Sequence, residues 1–305
     1  MRTDLILLEL AKRDLKAAEC LSSQKLYSYS VFHLQQAVEK AVKSFGIWNK
    51  IITEIEAKNT IGHEAWKLYL NIVDQTKNRM IKLKEVLNKF PKLNETGLIK
   101  ELNLSEWEDK IQNYKQAFNF LSRDALNLSF SNEKLQTIMN EICKLKKELK
   151  EIFLSEITLK EEELNDFRKK LHEFFDAMSE SEIDSTITDE VKNQLINVVT
   201  PQLIASIFKV MKEFFSKLIF CSLSLFYLSL IFSSHAVKSR YPQDDFNPLE
   251  AYNDKMPLIQ MLDFFIRITE ETLEDLDYIL HYQEFQKEAL TNLFTQFDLG
   301  NLESR

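Results

Sequence analysis

In the stretch YSYSVFHLQQAVEKAVKSFG, residues 27–46, His33, Gln36, Lys40 and Lys43 follow one another three and four positions apart. On an α-helix that spacing places them on one face. Lysine ammonium groups suit a phosphate, and a glutamine amide and an imidazole can hydrogen-bond a base or a ribose. Two readings fit this stripe. It forms a polar groove for a ligand, or it is a solvated face or polar dimer seam in which Glu39 and Lys43 pair at i,i+4. His63 and Tyr241 are further candidates to line such a groove. His63, at the start of its helix, also fits a cap or packing position. Arg240 and Tyr241 also fit a structural role, with Arg240 anchoring the acidic QDD neighbours or a helix C-terminus.

Other chemistries lack their residues. Cys20, Cys143 and Cys221 are widely spaced, and with His 5 in the whole chain no metal-ligand cluster is apparent. No P-loop, GxGxxG or G-x-S-x-G occurs, and Gly 4 leaves none to build a phosphate-cradling loop. Neither a metal nor a cofactor is expected.

The elements that must position the stripe are helices. Gly 4 and Pro 5 in 305 residues are far too few for the turns of a sheet protein. With 45% apolar and 28% charged residues the chain is globular in composition. The net charge of −8 weighs against a broad basic surface for nucleic acid but leaves room for a local basic cleft. The three cysteines read as thiols of a reducing compartment. The N-terminal apolar run is broken by Glu9 and Lys12, unlike a signal peptide. LIFCSLSLFYLSLIF, 218–232, is shorter than the roughly 20 residues of a spanning helix and reads as a buried core helix. A cytoplasmic protein without membrane attachment is therefore expected.

The apolar spacing predicts helices over 3–21, 27–46 with Gly46 as C-cap, from Gly62 to Phe90, between 105 and 127, over 202–237 and over 257–283. Leu135, Ile138, Ile142, Leu145, Leu149 and Ile152 alternate three and four apart, the spacing of a coiled-coil seam. That seam either buries itself among neighbouring insertion helices or pairs with a second chain.

Three stretches together resemble the HEPN domain family: AKRDLKAAECLSSQKLYSYSVFHLQQAVEKAVKSFG (11–46), IGHEAWKL (61–68) and SSHAVKSRYP (233–242). The resemblance implies an all-α, antiparallel helical bundle that pairs as a homodimer. It implies a bundle assembled from residues 1–75 and 205–285, an inserted helical, coiled-coil-like subdomain at 76–204, and a tail at 286–305. The family includes ribonucleases of toxin–antitoxin and defence systems, partners of nucleotidyltransferases, and non-catalytic nucleotide- or RNA-binding proteins. Its ribonucleases use an arginine followed, after four to six residues, by a histidine, which act on RNA without a metal. None of Arg2, Arg13, Arg79, Arg123, Arg168, Arg240, Arg267 and Arg305 has a histidine at that spacing. His235 and Arg240 stand in the reverse order and are the candidate catalytic pair if activity exists. The resemblance thus points first to a non-catalytic or weakly catalytic RNA- or nucleotide-binding homodimer in a stress or defence setting. A divergent ribonuclease and a helical protein-interaction scaffold are the alternatives.

Overall fold

The computed structural model describes residues 2–59, 65–101, 109, 112, 115–116, 130–154, 160–180, 196, 200–242 and 246–296. Among them every regular element is a helix and no β-strand occurs. In order these are α1 (Thr3–Ser23), α2 (Tyr27–Trp48), α3 (Glu54–Asn59), α4 (Lys67–Lys89), α5 (Pro91–Asn94), α6 (Gly97–Glu101), α7 (Asn132–Leu154), α8 (Glu161–Glu180), α9 (Pro201–Ser233), α10 (His235–Lys238), α11 (Pro248–Ala251), α12 (Pro257–Gln260) and α13 (Leu262–Gln296). The fold is an all-α helical bundle. His63 and the segment 60–64 lie outside the described residues, as do most of 102–129, residues 181–195 and residues 297–305.

Two compact units form. The first joins residues 1–73, 114–153 and 214–282. Its core begins with α1 and α2. Ala11, Ala18, Ala37 and Ala41 are completely buried between larger Leu8, Leu34 and Phe45. Small residues at the crossing let two helix backbones approach closely. Serines tie both ends of the pair: Ser30 Oγ donates to the Ala18 carbonyl at 2.7 Å, and Ser44 Oγ to the Asp4 carbonyl at 2.8 Å. Both helices end alike. Lys25 and Lys50 adopt left-handed φ of 59° and 56°. The next amides, of Leu26 and Ile51, reach back to Leu21 and Gly46 carbonyls, each at 2.9 Å, closing two otherwise open helix ends.

Gly46 is therefore not the cap but an interior residue of α2. A Cβ there would stand 2.9 Å from Leu68 Cδ1 and 3.0 Å from Ile52 Cδ1, so the missing side chain is what lets α4 and the α2–α3 connection pack here. α9 and α13 complete the core with Phe226, Phe232, Leu225, Phe265, Leu276 and Ile279, all nearly or completely inaccessible. α9 is long and apolar enough by composition to cross a membrane, and half of its most apolar window is buried inside the protein.

The heptad helix corrects the sequence reading. α7 buries Leu135, Ile138, Ile142 and Leu149 in the core of the first unit, and Lys146 bonds Glu271 of α13 at 2.7 Å. α7 thus groups with the first unit. The physical reason is that three-four apolar spacing serves the inner face of a bundle helix as well as a coiled-coil seam. α13 also runs on to Gln296, past its expected end near 283, with no glycine or proline from Leu262 to Gln296 to stop it.

The second unit joins residues 74–113, 154–213 and 283–305. It has a small core in which Leu87 and Ala177 are buried and Phe90, Ile99, Phe174 and Met178 pack against them.

Candidate functional site

α2 turns one flank toward α1 and carries the polar stripe along it. The stripe is not a row of free heads. Asp14 of α1, its side chain 20% exposed, faces His33 Nδ1 with Oδ1 at 3.0 Å and accepts from Lys40 Nζ with Oδ2 at 2.6 Å. Lys40 Nζ also donates to Gln36 Oε1 at 3.1 Å. The Gln36 amide donates to buried Gln35 at 2.7 Å, and Gln35 donates to Glu39 at 2.9 Å. Glu39 pairs with Lys43 at 2.7 Å, with only 10% and 14% of their side chains exposed. Lys43 is thus a largely buried ion-pair partner. The network satisfies groups whose burial would otherwise cost several kcal/mol each.

Next to this face, the end of α10 contributes a different cation. The Arg240 guanidinium lies 4.6 Å over the Phe32 ring and 5.0 Å over the Tyr241 ring. Its Nε donates to the Ala236 carbonyl at 3.1 Å, covering the C-terminal end of the short helix. No carboxylate pairs with it among the described residues. Its Nε is thus engaged, and its two terminal nitrogens, with no carboxylate on them among the described residues, make a donor fork that fits a phosphate or carboxylate. Tyr241 is 55% exposed and Tyr29, one turn before Phe32 and His33 on α2, is 51% exposed. The edge of the His33 ring meets Phe32 at 5.1 Å between centroids, so His33 and Arg240 share one aromatic neighbour.

His235 behaves otherwise. Its side chain is 3% exposed, and Nδ1 lies 2.6 Å from the Tyr252 hydroxyl. Burial, with Lys238 nearby, lowers its pKa to about 4, so the ring is neutral at pH 7. Burial also pushes the Tyr252 hydroxyl up from its ordinary value. His235 and Arg240 therefore hold different partners, Tyr252 for one and Phe32 with Tyr241 for the other. His63 falls outside the described residues.

Two concavities in the first unit lie elsewhere. One of about 430 Å³ runs between α1 and α13, lined by Lys12, Lys16, Leu15, Ile266 and Glu274. One of about 200 Å³ is mainly apolar, with His235 on its wall beside Leu135, Ile231 and Met256. Among the described residues no group of three His, Cys, Asp or Glu side chains is placed to hold a metal ion.

Asp14, Phe32, Gln35 and Tyr252 were not singled out from sequence. Phe32 had a usable signal, an aromatic residue directly before a candidate histidine. Asp14 and Tyr252 had none, because each meets its partner across helices whose register a single sequence does not give.

The fold and this face define an all-helical bundle with an arginine–aromatic cluster beside a hydrogen-bonded polar stripe. The model of the HEPN domain family, the family its sequence resembles, matches residues 5–95. The match supports a nucleotide- or RNA-related role in general. The stretch 233–242 lies outside the matched residues. No curated protein and no solved structure matches the chain.

Proposed function

We propose that the protein binds RNA or a nucleotide at the face formed by Arg240, Tyr241, Phe32 and His33, without cleaving it, as a cytoplasmic homodimer of a stress or defence system. The observation that carries this reading is the Arg240 guanidinium, stacked on Phe32 and Tyr241 with its terminal nitrogens unpaired by any carboxylate among the described residues. A phosphate oxygen pair fits that fork, and the exposed Tyr241 ring offers a base a stacking surface. The stripe lysines serve differently. Lys40 and Lys43 are neutralised by Asp14 and Glu39 and hold the face in shape. Tyr29, Val237 and Tyr241 expose apolar surface on α2 and around α10, which supports pairing of two copies on this side.

A ribonuclease using His235 with Arg240 is less well supported, since the His235 ring is enclosed and held by Tyr252. The test is fluorescence anisotropy with a labelled single-stranded RNA and with ATP as competitor, at two salt concentrations. Arg240→Ala is expected to weaken binding roughly 10- to 100-fold, and Arg240→Lys to restore little of it, because an ammonium lacks the planar fork. Unchanged affinity in Arg240→Ala would remove the reading.

A further inference from the structure

We propose that the cavity between α7, α9 and α12 is a binding site for a small, neutral, mainly apolar molecule that carries a carbonyl oxygen. Its volume is about 200 Å³, and it shares no lining residue with the Arg240 face. Leu135, Ile231 and Leu258 on its floor are buried, while half-buried Met256 and exposed Ser131 stand at its rim. Ser131 Oγ is engaged at the start of α7, where it accepts from the Lys134 amide at 3.3 Å. Among the described residues no lysine, arginine, aspartate or glutamate lines the cavity, so a charged molecule would give up its hydration without gaining a counter-charge. The polar group left in the floor is His235, 3% exposed.

The hydrogen bond to Tyr252 decides what His235 offers. Tyr252 is 3% exposed, and among the described residues His235 Nδ1 is the one hydrogen-bond partner of its hydroxyl, at 2.6 Å. A hydroxyl hydrogen turned anywhere else would be buried and unpaired, so the phenol donates and Nδ1 accepts. Burial keeps the imidazole neutral at pH 7, with a pKa of about 4, so its one hydrogen sits on Nε2. His235 lines the cavity and Tyr252 does not, so the ring presents to the space its opposite edge, which carries Nε2. Among the described residues Nε2 has no hydrogen-bond partner. A water there would find this one donor, where an ordered buried water ordinarily makes about three hydrogen bonds. Apolar cavities instead stay dry and take apolar guests, and a guest with a carbonyl oxygen also meets the donor. Benzene fills a cavity of about 150 Å³, so this one holds a molecule of about eight non-hydrogen atoms. No bond is made or broken; the step is recognition alone.

The experiment titrates the full-length protein with acetophenone, with ethylbenzene, which is the same skeleton without the oxygen, and with benzoate, which is charged. The δ1-methyl NMR resonance of Ile231 is read at each step. Acetophenone is expected to shift it saturably, and benzoate to leave it in place. Met256→Trp, which fills the mouth from the rim, is expected to weaken acetophenone binding about tenfold, because the indole takes the space of the guest. His235→Phe/Tyr252→Phe removes both partners of the buried hydrogen bond together, so no polar group is stranded. In it the acetophenone-to-ethylbenzene affinity ratio is expected to fall about tenfold, the worth of one hydrogen bond to an otherwise unmet donor. Melting temperatures check the fold of both variants, and Met256→Trp decides the matter if the double variant unfolds early. No saturable shift with acetophenone, equal binding in Met256→Trp, or an unchanged ratio in the double variant overturns the inference and leaves the Arg240 reading standing. A resonance that moves with protein concentration and not with acetophenone also overturns it, and assigns the cavity to a side chain of a second copy.

Discussion

The His235 imidazole and the Tyr252 hydroxyl form a buried hydrogen bond of 2.6 Å, and the histidine enters it uncharged. The folded pKa of about 4 lies below the ordinary value of 6.5, so the unfolded chain takes up the proton first as pH falls. Stability is at its full value above pH 6.5, declines as pH falls toward 4, and levels off below that. The loss is about 3 kcal/mol for this group. Thermal melts from pH 7 to 4 are expected to show a steeper decline in wild type than in His235→Gln, which keeps a polar partner for Tyr252 but does not titrate. Parallel declines would assign the acid sensitivity to other groups.

The Glu39–Lys43 pair is structural, and its removal separates structure from binding. Lys43→Met leaves Glu39 largely buried without its cation and is expected to cost about 3 kcal/mol. Denaturant unfolding measures this. The double variant Lys43→Met/Glu39→Leu is expected to recover most of that loss, since the buried charge goes too. RNA affinity of folded Lys43→Met is expected to stay within about twofold of wild type; a tenfold loss would make Lys43 a ligand contact after all.

The placement of α7 gives a contrast along one helix. Ile142 is completely buried and Ile152 is 52% exposed, though both stand in the same heptad series. Ile142→Ala is expected to destabilise by about 3 kcal/mol and Ile152→Ala by less than about 0.5 kcal/mol. If α7 instead paired with a second chain through its whole series, both changes would shift the oligomer size on gel filtration at low protein concentration.

Gly46 is tested by size. Gly46→Val adds three carbons where a single Cβ already meets Leu68 and Ile52 within 3.0 Å. Overpacking of this kind costs about 2 kcal/mol, outweighing the gain in helix propensity from losing a glycine. A variant that melts at or above the wild-type temperature would show that Leu68 and Ile52 repack freely.

Much of this was legible in the sequence, and the rest failed for identifiable reasons. Helices α1 and α2 follow from apolar residues at three-four spacing, and their inner faces are the buried ones: Leu8, Ala11, Leu15 and Ala18 on one, Val31, Leu34, Val38, Ala41 and Phe45 on the other. Glycine commonly ends helices, which points to Gly46 as a cap, yet Lys25 and Lys50 fill the left-handed positions here. The polar stripe was visible as a stripe; that its cations are neutralised was only half visible. Glu39 and Lys43 lie on one helix, so their pairing follows from spacing. Asp14 lies on another, so its pairing with Lys40 does not. Arg240 carried no periodic signal at all, since its role comes from an aromatic ring more than 200 positions earlier in the chain.

The first unit is assembled from residues 1–73, 114–153 and 214–282, and this order matters during synthesis. A ribosome releases α1 and α2 well before α9 and α13, so their shared apolar face waits for Phe226, Phe232 and Phe265 until about 200 further residues have emerged. Contacts this distant in sequence slow folding, and an uncovered apolar face invites association in the interval. A fragment ending at residue 95 holds every residue of the family match but none of those three phenylalanines. The stretch that matches the family model is therefore smaller than the unit that buries this core, which draws on residues 214–282 as well.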